Sequence, residues 1–332
     1  MPLKTPLVSL CVAAGLLLAA GGVLAERQAA TVEPASVPAD ASVPATAPPV
    51  PLLWRASRGD TSVYLLGTFH LLRPNDYPLA PEVDAAFDAA QRVVFELPPE
   101  ELASPALGFR MAQAGMRTDG TQLASELPPE TAQALEAWLT ANAATLQPMG
   151  LNAQAVQMFE PWFVALTVTL VEMTAHGLDP SLGLDAHLSK RAGEAGKATQ
   201  GLETGDQQIA FLAGMHRPEQ LQFLREALDT TGEAGAQELD KLHDAWRTGD
   251  ERLLWNEMAV RMRMEYPALY HRINVARNDA WLPKIEGLFE QPGDSLVAVG
   301  ALHLLGEDGV VHKLQQRGFE VERVTAVEPS TP

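Results

Sequence analysis

Two segments near opposite ends of the chain repeat one pattern, and that repeat limits the fold more than any other feature. Tyr64-Leu65-Leu66-Gly67-Thr68-Phe69-His70-Leu71-Leu72 and Val297-Ala298-Val299-Gly300-Ala301-Leu302-His303-Leu304-Leu305 each pass from an apolar run through Gly to His, then Leu-Leu. An apolar strand that ends on Gly delivers the next polar side chain to the strand's carboxyl end, the edge where open parallel sheets hold ligands. Gly allows the sharp turn or the close backbone approach that a larger residue would block. Both imidazoles are therefore expected on one rim, although more than two hundred residues separate them. The competing reading is a pair of turn histidines bonded to backbone carbonyls.

Three further apolar runs read as strands: residues 92–97, stopped by Pro98-Pro99, residues 319–324, and a weaker one at 198–202. Counting the repeated segments at 62–66 and 294–299, the strands cluster at the two ends, with helical spacing between about 100 and 290. Ala134, Leu135, Trp138 and Leu139 mark one helical face, and Leu221, Leu224, Ala227 and Leu228 another. Trp281, Ile285, Leu288 and Phe289 mark a third, with Pro283 inside it. Residues 159–176 are apolar nearly throughout, as expected of a central buried helix, with Glu172 the polar exception. These features predict an α/β fold: a mostly parallel central sheet flanked by helices, with a helical cap inserted between the N- and C-terminal strand regions.

The chain divides into three parts. Residues 1–25 carry Lys4, then an apolar Ala/Leu/Gly run ending Val23-Leu24-Ala25, the pattern of a secretory signal peptide, with an uncleaved anchor as the alternative. Residues 26–51 are Pro/Ala-rich without periodicity and read as a disordered linker. Residues 52–326 form the domain. Cleavage after residue 25 removes the single cysteine, Cys11, so the mature chain has no disulfide and no thiolate metal site. It would be periplasmic or secreted, with no stable membrane span. With 24 Lys+Arg against 42 Asp+Glu and a net charge of −18, the chain lacks the basic surplus that nucleic acid binding needs. No phosphate-binding glycine loop, His-Glu-x-x-His or nucleophile elbow is present.

Glu96, at the end of Val94-Phe95-Glu96-Leu97, falls on the same rim by the same argument. A carboxylate after three apolar residues is costly to bury unless it is paired or binds a cation. His70, His303 and Glu96 together suit a divalent metal (Mn, Co, Zn or Fe) with positions left for water. Glu203 reaches the rim if the weak strand joins the sheet, as a general base or as a partner that orients a histidine; otherwise it is a helix N-terminal acid. Asp185 is expected to begin a helix. Arg277 either binds a substrate carboxylate bidentately or makes an ordinary salt bridge. Glu172 either pairs with a buried Arg or faces the site. His176, His216, His243 and His312 read as helix-surface or cap residues.

These motifs resemble the TraB/GumN family, which includes the Tiki metalloproteases. The resemblance rests on Leu66-Gly67-Thr68-Phe69-His70, Val94-Phe95-Glu96-Leu97, Gly201-Leu202-Glu203-Thr204, Val299-Gly300-Ala301-Leu302-His303 and Arg277-Asn278. It implies a fold similar to the erythromycin-esterase and ChaN haem-uptake proteins, and a metal-dependent hydrolase that cleaves a peptide or protein substrate. His70, His303 and Glu96 would take the metal and catalytic roles. Arg277 and Asn278 would line the pocket, Asp185 would lie near it, and Glu96 or Glu203 would move the proton. The alternatives it leaves open are a haem-binding or other accessory envelope protein without turnover, and a small-molecule esterase.

Overall fold

The computed structural model describes residues 47–325. The expected signal peptide and most of the linker lie outside the described residues. Where the linker is described it is attached to the domain: the Val50 N–H donates to the Arg247 carbonyl and Pro49 accepts from the Ala80 N–H.

Six strands form one sheet: β1 Leu53–Arg58, β2 Thr61–Thr68, β3 Arg92–Phe95, β4 Ala198–Gly201, β5 Ser295–Gly300 and β6 Glu320–Arg323. Their order is β4-β3-β5-β2-β1-β6. β4, β3, β5 and β2 run parallel, and β1 is antiparallel to both of its neighbours. The mostly parallel α/β sheet is therefore as expected. β1 was not recognised as a strand because Leu53-Trp54-Arg55-Ala56-Ser57-Arg58 mixes core and exposed positions over only six residues. β5 is buried at every position, which explains why it reads as an unbroken apolar run.

Register decides what shares the carboxyl edge. Thr68 pairs with Gly300, Phe95 with Ala298, and Phe95 with Gly201. The ladder continues past β4, where the Leu202 and Glu203 N–H groups donate to the Phe95 and Glu96 carbonyls. The ends of four strands thus bring residues 68–70, 96, 203 and 300–303 to one rim.

The main helices are α1 Pro81–Ala89, α2 Pro105–Ala114, α3 Pro129–Ala141, α4 Pro161–Ala175, α5 Leu184–Glu194, α6 Gly205–Ala213, α7 Arg217–Asp229, α8 Glu233–Thr248, α9 Ala276–Glu286 and α10 Val310–Gln316. The helical middle is not one insertion, since β4 divides it. α4 is the expected buried helix, and α7 packs along it. Glu172 takes neither expected role: it accepts from the Trp138 indole N–H at 2.7 Å and from the Gly232 N–H at 3.2 Å. His243 is a correction. It lies in the core, 2.8 Å from the equally buried Asp76, and stacks with Trp246. Helical spacing alone did not show that α8 turns this face inward against the 70–77 loop. Among the described residues no helix is long and apolar enough to cross a membrane.

Candidate functional site

The two glycine–histidine corners pack against each other. A Cβ on Gly67 would sit 3.1 Å from Ala301 Cα, and one on Gly300 would sit 3.3 Å from His70 Nε2. Gly300 has φ −50° and ψ 134°, which any residue can adopt, so close approach and not a left-handed turn is what requires glycine there. The same added Cβ would meet Glu96 Oε1 at 3.2 Å and His303 Cδ2 at 3.6 Å. The two histidines and the glutamate therefore meet around the end of β5.

His70 is held from behind. Its Nδ1 lies 2.8 Å from Asp185 Oδ2, and the other Asp185 oxygen accepts from the Thr68 hydroxyl at 3.0 Å. Asp185 is the second residue of α5, and that helix is docked on the corner by the Leu184 N–H donating to the Phe69 carbonyl. An acid in a first helical turn is ordinary. Its bond to His70 links elements more than a hundred residues apart. Burial, the largest influence on His70, favours the neutral ring, but the Asp185 carboxylate and then Glu96 outweigh it and raise the pKa above 6.5. His70 Nε2 is buried and has no hydrogen-bond partner.

His303 is arranged differently. The Asn278 amide N–H donates to the Asp308 carbonyl at 2.8 Å, so Asn278 Oδ1 must accept. His303 Nδ1, 2.7 Å from that oxygen, must then carry the proton. Its Nε2 lone pair accepts from Arg277 Nη1 at 3.0 Å. Burial, the Arg277 charge and His70 together push the His303 pKa well below 6.5, so the ring is neutral.

Arg277 is the hub. It is the second residue of α9, which continues from a π-helical turn at His271–Val275. Its Nε donates to Glu203, Nη2 to Glu96 Oε2 at 2.6 Å and to Glu203 Oε1 at 2.5 Å, and Nη1 to His303 and to the Ile273 carbonyl. All five N–H donors are engaged within the protein. Burial works against the charge, but Glu203 and Glu96 raise the pKa further, and the guanidinium stays protonated. Glu203 also accepts from the Trp281 indole at 3.0 Å and the Gln208 amide at 2.8 Å, and Glu96 Oε1 accepts from the Gly300 N–H at 2.8 Å.

A narrow cleft opens onto this cluster, lined by His70, Glu96, Asp185 and Gln208 with Phe95, Leu97 and Leu102. Arg277, Asn278 and His303 lie behind it. The expectation that Arg277 and Asn278 line the pocket is corrected: Arg277 has no donor left for a substrate carboxylate. Glu203 takes the role of a buried partner and not that of a helix N-terminal acid, since Thr204 caps α6. Thr68 and Gln208 were missed, because a hydroxyl with a distant partner and an amide five residues from Glu203 give no local sign of a bond. Trp281 was read only as part of an apolar face.

The arrangement does not fit the divalent ion expected on His70, His303 and Glu96. The His303 lone pair is spent on Arg277, Glu96 Oε2 is bonded to the same guanidinium, and that charge would repel a dication. Among the described residues no group of three or more His, Cys, Asp or Glu is placed to hold a metal.

Residues 52–323 match the sequence pattern of the TraB/PrgY/gumN family. The chain belongs to that family. It is 27% identical over 169 residues to the uncharacterized protein YbaP of Escherichia coli (strain K12), a match covering 51% of this chain and 61% of YbaP. The YbaP of Shigella flexneri matches to the same extent. An uncharacterized protein of Treponema pallidum (strain Nichols) is 26% identical over 282 residues, 80% of each chain. The chain thus spans about three fifths of the length of the YbaP relatives. No solved structure matches it significantly.

Proposed function

We propose that the chain is a hydrolase of acyl bonds, with peptides as the first substrate class to test, and that His70 is its general base. One observation carries this reading: a buried imidazole has one nitrogen anchored by a carboxylate and the other unpartnered at a cleft. That pairing fixes the tautomer and supports the imidazolium that forms when Nε2 takes a proton from water. Glu96, on the same wall of the cleft, orients that water. The Gln208 amide, held by Glu203 at 2.8 Å and within 3.5 Å of Glu96, fixes the polar side of that wall. The enclosed space at the cleft is about that of one water molecule, enough for the attacking water and far too small for a haem. The leader read at residues 1–25 supports action in the periplasm or outside the cell.

The full chain, tested against a peptide library and short-chain aryl esters with and without chelator, should turn over substrate in both conditions. His70→Ala and Glu96→Gln should each lose it. Turnover abolished by chelator and restored by Mn²⁺ or Co²⁺ would replace His70 with a metal as the activator. Equal turnover in His70→Ala would remove the site altogether. Cleavage of esters without peptides would make the enzyme an esterase.

A further inference from the structure

A cation already occupies the middle of the buried cluster. Glu96 and Glu203 are both carboxylates deep in the protein, and such charges persist there only when paired. The Arg277 guanidinium lies between them, 2.6 Å from one and 2.5 Å from the other, and its remaining nitrogen faces the His303 lone pair at 3.0 Å. Two carboxylates and a neutral imidazole are the donors a divalent ion would choose, and here all three spend those lone pairs on a side chain. The Asn278 amide holds His303 in the tautomer this requires.

We infer that Arg277 is the built-in counter-cation of this centre and stands where a divalent ion would bind Glu96, Glu203 and His303. The inference goes beyond the hydrolytic reading, because it concerns what neutralises the buried carboxylates and not what is cleaved. It follows that removing the guanidinium, while keeping a similar length of side chain, frees these lone pairs, so that Glu96, Glu203 and His303, which are not disposed around an ion with Arg277 in place, can close on one.

The test uses the full chain, stripped by dialysis against chelator, with Co²⁺ as the probe. Binding is followed by calorimetry and by visible absorption, and melting temperature is read in the same samples. The wild type should take up no stoichiometric Co²⁺ at micromolar concentration and melt at an unchanged temperature. Arg277→Met should bind one equivalent at least 100-fold more tightly, develop a cobalt absorption band and melt higher with the ion than without it. One equivalent bound by the wild type, and lost in both His70→Ala and His303→Ala, would overturn the inference. So would a folded Arg277→Met protein that binds no Co²⁺. Should that variant not fold, the wild-type titration decides alone: stoichiometric uptake refutes the assignment, and its failure supports it. Peptide or ester turnover is measured separately, so its outcome does not affect this one.

Discussion

Substituting Gly300→Ala adds one methyl group at the point where the site converges. The backbone there, at φ −50° and ψ 134°, costs alanine nothing. Removing glycine's extra freedom from the unfolded chain favours the variant by about 0.4–1 kcal/mol. Against this, the new carbon meets Glu96 Oε1 at 3.2 Å and His70 Nε2 at 3.3 Å, closer than ordinary contact by a few tenths of an ångström. Crowding of that kind costs about 1–3 kcal/mol. The net destabilisation should stay within about 2.6 kcal/mol, and at about 2–4 °C per kcal/mol the melting temperature should fall by no more than about 10 °C. Activity should suffer far more. The methyl takes the space in front of His70 Nε2 where the water that gives its proton to the base would sit, and a misplacement near 1 Å can cost about 100-fold. Calorimetry and turnover on the same preparation separate the two effects. Gly287→Ala is the control, because no atom lies within 4 Å of its added Cβ. Full turnover in Gly300→Ala at an unchanged melting temperature would show that His70, Glu96 and Gly300 do not border one reaction space.

Other substitutions test the remaining contacts. Asp185→Asn should leave the protein folded but move the His70 proton from Nδ1 to Nε2, visible in ¹⁵N imidazole spectra, and lower turnover by about 10⁴-fold; an unchanged ring spectrum would contradict the orienting role. Glu203→Gln breaks a fully buried pair with Arg277 and should cost about 3–5 kcal/mol in urea unfolding, so a loss below 1 kcal/mol would mean the pair is not tightly coupled. Burial opposes the Asp76 charge, but the bonds from His243, the Arg73 N–H and Arg247 hold its carboxyl below its ordinary 3.8. Its contribution is therefore complete above about pH 4 and is lost as pH falls through the folded value. Asp76→Asn should lower stability at pH 7 and flatten the acid limb of a melting profile between about pH 5 and 2; parallel profiles for the two proteins would exclude that role.

What could be read from the chain followed local chemistry. β2, β3 and β5 were visible because strands buried on both faces are apolar without interruption, and their ends located His70, Glu96 and His303. β4 was faint because it is an exposed edge, yet its four residues carry Glu203 to the rim. β1 escaped because its pairing with β2 and β6 comes from the tertiary structure and not from its composition. The role of Asp185 depends on a partner 115 residues away, and no window of sequence contains both members of that pair; Gln208 bonds Glu203 only five residues off, but an amide near an acid carries no sign of it. Arg277 was identified by residue, and of its two readings the salt bridge is the one the structure shows, with two buried carboxylates in place of one. A guanidinium that binds a substrate and one that binds two buried carboxylates look the same until Glu96 and Glu203 are seen on either side of it.

The position of β5 sets the timing of assembly. The penultimate strand in sequence is third in the sheet, seated between β3 and β2. As the polypeptide leaves the ribosome, His70 and Glu96 emerge hundreds of residues before the segment that brings them together. Until residues 295–300 insert, the N-terminal strands have no shared neighbour and the reactive groups stay apart. A chain that stops short of residues 295–300 therefore cannot assemble the cluster, which forms only after that segment has emerged.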